Sequence, residues 1–366
     1  QNQSSGALGF APCAPDFIFK NIKLIMKKIV LFNHKGGVSK TTSTFHIGWK
    51  LAETYRVLLV DADPQCNLTS LFLGNDFDRY YDEEDTRHEN IMDGVRNAFD
   101  GKPEEIKAIK CPSASRNANL FLLPGHMNLS AYDAQLNFAI NAPKALSSLK
   151  SLPGSFNNLI EKTASEYGID YVLIDLNPGL STINQDLFLI SDGFVVPTNP
   201  DTFSLMAIES LSNILPGWAN WKRTNIGSFA NSAYPFPEGT PKFIGEIPQR
   251  FNIRNGEATR PFRNKIDEIS QVICSVLVPN LNKEGMLFES SQYENAGIST
   301  SNYILHEIKD FQGLAPKSHK NNVPVFALTD AELELSGAAF NVASENRDKF
   351  DEIYTDIANK IVLIFE

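Results

Sequence analysis

The chain has 366 residues, 42% of them hydrophobic and 21% charged, with a mean hydropathy of −0.20. That composition supplies a sizeable core and excludes collagen-like, coiled-coil and wholly disordered chains. No apolar run reaches the roughly 18 residues of a membrane-spanning helix, and 33 Lys+Arg against 43 Asp+Glu, a net of −10, excludes a protein that coats nucleic acid with its whole surface.

Residues 1–25 are rich in small residues, carry Pro12 and Pro15, and show no periodic pattern. They lack the basic start and apolar core of a secretory signal. They are expected to be a non-native or upstream extension without a catalytic role. Met26 opens the run MKKIVLFNHKGG, which reads as the start of a first strand. The remainder, 26–366, is expected to form one domain with an expanded C-terminal part from about residue 265.

From there, short apolar runs at 29–32, 57–60, 120–123, 171–174, 194–196 and 243–247 alternate with helical patterns at 41–54, 129–140, 145–167, 182–190 and 204–215. Unbroken apolar runs suit strands buried on both faces of a parallel sheet. Their alternation with helices predicts a doubly wound α/β fold, a mainly parallel sheet flanked by helices.

Two segments stand out by charge. Residues 76–93 hold eight acids and two Arg, as a solvated loop or a recruiting surface would. Residues 217–265 hold eight Lys/Arg against three Glu, a local net of +5 that leaves −15 elsewhere. At the end, residues 347–366 read as an amphipathic helix packed on the domain. Its Asp348, Asp351, Glu352, Asp356 and Glu366 outnumber Arg347, Lys349 and Lys360, which argues against an anionic membrane surface. Cys13, Cys66, Cys111 and Cys274 are scattered without CxxC spacing, as expected of reduced thiols in a cytoplasmic protein.

The chemistry concentrates around the first strand. His34-Lys35-Gly36-Gly37-Val38-Ser39-Lys40-Thr41-Thr42 follows it and opens the first helix. Glycines let a backbone wrap closely round an oxyanion, and successive N–H groups with the helix N-terminus then point at it. In such a loop Lys40 reaches the β- and γ-phosphates and the Thr41 hydroxyl ligates Mg²⁺. The strict G-x-x-x-x-G-K-[ST] pattern fails at His34 and Ser39; what stands here is K-G-G-x-x-K-T-T. A second motif, Val57-Leu58-Leu59-Val60-Asp61-Ala62-Asp63-Pro64-Gln65, ends an apolar strand in two acids that share one face. A third, Tyr171-Val172-Leu173-Ile174-Asp175, ends another strand in one acid. In open α/β sheets that carboxyl end is where ligands bind.

K-G-G-x-x-K-T-T, D-A-D-P-Q and the strand ending in Asp175 together resemble the deviant Walker A P-loop ATPases of the ParA/MinD family, over roughly residues 27–260. The resemblance implies ATP and Mg²⁺ as cofactors, with Gly36, Gly37, Val38, Ser39, Lys40, Thr41 and Thr42 on the nucleotide. Asp63 would position the attacking water, Asp61 would support Mg²⁺ and the loop, and Asp175 would contact Mg²⁺ directly or through water. Lys35 matches the family's signature lysine, which crosses to the nucleotide of the other subunit much as an arginine finger does in trans. It therefore implies a homodimer when ATP is bound, with Lys35, Lys40 and Asp63 as the catalytic set. Two departures are visible. Ser39 stands where the family usually has Gly, at a cost of roughly 1 kcal/mol if that position needs a left-handed backbone. Asn177 and Gly179 differ from the commoner residues after the third motif.

Within the family the sequence is nearest to ParA-type partition ATPases. That implies an ATP dimer that binds DNA non-specifically on the nucleoid, and an adaptor protein that stimulates hydrolysis. The candidate DNA contacts are Arg250, Arg254, Arg260, Arg263 and Lys265 of the +5 segment. The alternatives are a ParA/MinD-like positioning ATPase for a protein cargo or a membrane surface, and a small-molecule ligase or kinase. A DNA-binding adaptor encoded next door would favour partition; a biosynthetic operon would sink it.

Overall fold

The computed structural model describes residues 26–141, 149–251, 253–254, 257–258 and 260–366. The expected extension, 1–25, lies outside them, as does the beginning of the helix expected at 145–167.

Every apolar run foreseen in the sequence is a strand. In chain order the first half holds β1 (Lys27–Leu31), α1 (Lys40–Leu51), β2 (Val57–Ala62), α2 (Asn67–Leu73), α3 (Phe77–Asp82), α4 (Ile91–Phe99), β3 (Ser113–Ala114), β4 (Asn117–Leu123) and α5 (Asp133–Asn141). Then come α6 (Leu152–Tyr167), β5 (Tyr171–Leu176), α7 (Thr182–Leu189), β6 (Gly193–Thr198), α8 (Thr202–Asn225) and β7 (Lys242–Phe251). The C-terminal part adds β8 (Ile253–Arg254), β9 (Glu257–Ala258), α9 (Arg260–Val272), α10 (Val278–Lys283), α11 (Ser290–Asn295), β10 (Ile308–Lys309), α12 (Leu314–Asn321) and α13 (Gly337–Leu363).

Eight strands form one sheet in the order β10-β7-β6-β1-β5-β2-β4-β3. All pairings are parallel except β3 with β4. Strands β2, β5 and β6 are buried along their whole length, which explains why they read as unbroken apolar runs. The strand after β1 in sequence lies to one side of it and β6 to the other. The order therefore reverses beside β1, and a crevice opens at the carboxyl end of that strand.

Local signals set the element ends. Helix α6 starts with Pro153 in its first turn and stops at left-handed Gly168. Helix α8 is capped by Asp201, whose side chain accepts from the Ser204 N–H at 2.7 Å. Gly48 lets α1 lie close on β2: a Cβ there would sit 2.4 Å from Leu59 Cδ2. The acidic stretch 76–93 is more ordered than a loop, since it contains α3 and the Asn90 cap of α4.

The C-terminal helix is longer than the sequence suggested, because α13 begins at Gly337, and it packs on α1 as expected. Lys50 of α1 pairs with Asp351 of α13 at 2.5 Å. His46 of α1 is buried between Phe311 and Tyr354, donating from Nδ1 to the Thr42 carbonyl at 2.7 Å and accepting from the Val325 N–H at 3.1 Å. Burial drives its pKa down to about 3, so the ring stays neutral. No helix among the described residues is long and apolar enough to cross a membrane.

One buried acid makes the fold sensitive to pH. Glu246 of β7 is fully buried, accepting from Thr198 Oγ1 at 2.5 Å and facing Ser270. Burial pushes its pKa up to about 8 from an ordinary 4.5, and the hydroxyl contacts only partly offset that. A raised carboxyl pKa gives stability that is complete below the unfolded value and lost as pH rises through the folded one. Glu246→Gln should therefore remove a loss of stability, on the order of a few kcal/mol, between pH 5 and pH 8. Urea unfolding at both pH values checks this; an identical pH slope in the two proteins contradicts it.

Candidate nucleotide-binding site

The loop between β1 and α1 has the geometry of an anion cradle. Gly37 has φ 74°, and Ser39, the residue before α1, is left-handed at φ 57°. The Ser that stands at the usual Gly position does adopt the backbone that Gly makes easy. Its side chain makes no capping bond, so the strain of roughly 1 kcal/mol is carried by the surrounding structure. Lys40 is buried, and its ammonium donates to the carbonyls of Asn33 at 2.8 Å and Lys35 at 3.1 Å. Desolvation lowers its pKa, while Asp175 and Asp63 pull the other way.

Three acids meet at the carboxyl ends of β2 and β5. Asp61 and Asp175 are register partners on adjacent strands. Asp61 is fully used by the protein: Oδ2 accepts from the Thr69 N–H at 2.8 Å and hydroxyl at 2.7 Å, and Oδ1 from the Asp63 N–H at 3.1 Å. Burial raises its pKa to about 6. These bonds brace the turn into α2. Asp61 thus makes contacts that support the loop. Asp63 lines the cleft, with one oxygen accepting from the Gln65 N–H at 2.9 Å.

Asp175 is the opposite case. It is fully buried, and neither carboxylate oxygen meets a donor in good hydrogen-bond geometry, although the Thr41 hydroxyl acts on it. Burial, then repulsion from Asp61, pushes its pKa up to about 8, against the pull of the Thr41 hydroxyl and Lys40. A buried carboxylate without a well-formed hydrogen bond is costly, and a divalent cation is the natural group to satisfy it. No cluster of three or more His, Cys, Asp or Glu forms a metal cage among the described residues. Mg²⁺ takes one or two protein oxygens and completes its shell with phosphate and water. Thr41 and Asp175 are the residues that fit it.

Lys35 does not reach into this cleft within its own chain. Its ammonium lies 2.5 Å from Asp201 Oδ2 and 3.1 Å from Ser204 Oγ, at the cap of α8. Asn33 and Asn199 tie the same corner together, through Asn33 Nδ2 to the Pro197 carbonyl and Asn199 Nδ2 to the Gly37 carbonyl, both at 3.0 Å. The D-x-x-S spacing of Asp201 and Ser204 is a legible helix cap in the sequence, but nothing there says that it would grip Lys35.

The cleft has a volume of about 590 Å³ and runs from the phosphate loop past Asp63 to Arg250, His319 and Asn322. Sequence reasoning missed His319 and Asn322, and it assigned Arg250 to DNA. In the structure Arg250 Nη1 donates to the Gly37 carbonyl at 3.2 Å. Of the other candidate DNA contacts, Arg263 forms a two-pronged pair with Glu307 at 2.6 Å on both arms, and Lys265 pairs with Glu268 at 2.5 Å. Arg260 is exposed at the start of α9. The Arg254 side chain lies outside the described residues.

Comparison with known proteins agrees with this geometry. A family model described as an AAA domain matches residues 26–226. An uncharacterized protein of Methanocaldococcus jannaschii is 32% identical over 188 residues, covering 50% of this chain and 63% of the relative. A ParA family protein of Chlamydia pneumoniae is 29% identical over 194 residues, 52% of this chain and 66% of its own length. The chain thus spans only half to two thirds of these relatives. Among solved structures, a Cyanothece McdA–ATP complex superposes with a TM-score of 0.55 at 19% identity, covering 88% of this chain and 96% of that one. The ParA of pNOB8 bound to nonspecific DNA gives 0.50 at 20% identity, over 93% and 99%. At these identities the two superpositions speak for a shared fold.

Proposed function

The chain belongs to the AAA-domain family of ParA/MinD-type P-loop ATPases, and from that premise we propose that it hydrolyses MgATP and uses ATP-dependent pairing of two copies as a switch. The observation that carries the reading is Asp175, buried without a well-formed hydrogen bond beside Thr41 and Lys40 at the mouth of the phosphate loop. Water attacks the γ-phosphorus, the bond to the ADP oxygen breaks, and ADP and inorganic phosphate leave. The loop N–H groups and Lys40 hold the phosphates, and Asp63 orients the water. Thr41 and Asp175 hold Mg²⁺, which neutralises phosphate charge when bound. Lys35, once released from Asp201, serves the nucleotide of the second copy. Phosphate release from MgATP, with light scattering to follow association, tests this; no hydrolysis by the full chain would sink it.

The biological task we assign is partition-type work through non-specific DNA binding by the paired form, with an adaptor protein stimulating hydrolysis. Support comes from the fold shared with a ParA that binds nonspecific DNA and from the local excess of cations in 217–265. Arg260, Arg263 and Lys265 on α9 are the contacts to test. With MgATP, duplex binding should be weak and without sequence preference, log K falling by about 0.9 per neutralised phosphate for each decade of salt. Changing all three to Glu should abolish binding and leave ATP-driven pairing intact. If the unmodified protein with MgATP binds no DNA at low salt, the partition reading fails and a protein cargo takes its place.

A further inference from the structure

We propose that Arg250, His319 and Asn322 form an outer wall of the nucleotide site within the same chain, and that Arg250 reads bound nucleotide rather than DNA. The inference deepens the nucleotide-site reading above and rests on it.

The end of β7 is bolted to the phosphate loop by two consecutive side chains. Gln249 is buried, its amide donating to Ser43 Oγ at 2.8 Å and its carbonyl accepting from the same hydroxyl at 3.1 Å. Successive strand residues face opposite ways, so Arg250 ought to point away from Gln249 and the loop. It does not, because its backbone is left-handed at φ 58°. That conformation is disfavoured for a residue with a side chain, and such strain gathers at ligand sites. Its result is a guanidinium laid on the Gly37 carbonyl at the cleft wall. Arginine has five N–H donors, and the bond to Gly37 uses one of them.

The α12 part of the wall is equally fixed. Asn322 ends α12 in a left-handed conformation, φ 52°, and its Nδ2 donates to the Leu71 carbonyl at 3.0 Å. It lies so close to Gly74 that a Cβ there would be 2.1 Å from Asn322 Oδ1. The chain just beyond is anchored to α1 by Val325 on His46. So α12 is clamped to α2 on one side and α1 on the other, with His319 exposed along the cleft between them.

A cleft of about 590 Å³ falls in the range of small-molecule and cofactor sites. A guanidinium binds phosphate through paired N–H donors or stacks on a heterocycle, and imidazole and carboxamide groups bond sugar hydroxyls and base edges. This set fits a nucleoside polyphosphate whose phosphates lie on the loop.

MgADP is the probe, because its binding does not require a second copy. Calorimetry on the full chain should show Arg250→Ala binding MgADP about tenfold more weakly, the loss of a charge-assisted bond. Arg250→Lys should recover part of that. His319→Ala, on an exposed position, should weaken binding about threefold without moving the thermal unfolding midpoint. Arg250→Ala should leave the salt slope of DNA binding unchanged. MgADP affinities within twofold of the unmodified protein, with Lys40→Ala binding lost, would overturn the wall and leave the ATPase reading standing. A DNA salt slope that drops by about one unit in Arg250→Ala, at unchanged MgADP affinity, would return Arg250 to DNA. Failure of the unmodified protein to bind MgADP would remove both readings together.

Discussion

Replacing Lys40 with Ala should cost the protein about a hundredfold or more in MgATP affinity, and ATP-driven pairing with it. Lys40 is held in the loop by two backbone carbonyls, so its ammonium is positioned before any ligand arrives. Its charge is coupled electrostatically to Asp175 and Asp63. Removing it deletes charge-assisted bonds to phosphate, each worth about 1.5–3 kcal/mol, and leaves the acids without their counter-ion. Calorimetry with MgATP reads the first effect and light scattering the second. Unchanged affinity would mean that the loop does not hold the phosphates. Circular dichroism of the variant separates lost binding from lost fold.

Asp63→Ala should behave in the opposite way, binding MgATP with near-normal affinity but turning it over about a hundredfold more slowly or worse. Asp63 lines the cleft, and its side chain accepts from the Gln65 N–H, while its bonds to Asp61 and Cys66 come from the backbone, which alanine keeps. Its loss therefore leaves the loop and the Asp175 corner intact. The variant should accumulate as the ATP-bound pair. Normal turnover would show that another group orients the water. Asp61 is a poor replacement, since Thr69 and the Asp63 N–H already occupy its oxygens.

The parts of the site that were legible are those written in contiguous sequence. The phosphate loop, the two acids ending β2 and the acid ending β5 each sit within one strand-and-turn, so residue type and spacing suffice to place them. The six strands foreseen were also legible, because burial on both faces leaves an unbroken apolar run. Arg250 and Gly37 lie 213 residues apart, and no local pattern joins them. The left-handed backbone that turns Arg250 toward the loop has no signature in its residue type, and the same holds for Asn322 and Ser39. The pairing within the basic segment was also not legible. Counting charges on 217–265 ignores partners elsewhere, and Glu307 takes up Arg263 from outside that segment. Helices α2, α3 and α11 have only six or seven residues each, too short for a 3.6-residue period to declare itself.

The position of β7 bears on how this protein can be cut. The stretch that the family model matches ends at residue 226, but the sheet does not end there. Strand β7 supplies the whole outer neighbour of β6, and α13 covers α1, whose first turn carries Lys40 and Thr41. A fragment trimmed to residues 26–226 would expose β6 as a raw hydrogen-bonding edge, a template for joining other chains. It would also bare the ring of His46 and the side of α1 that now meets Phe311 and Tyr354. The stretch matched by the family model and the packed sheet are therefore different lengths of chain, and a truncation series should keep its C-terminal boundary beyond α13.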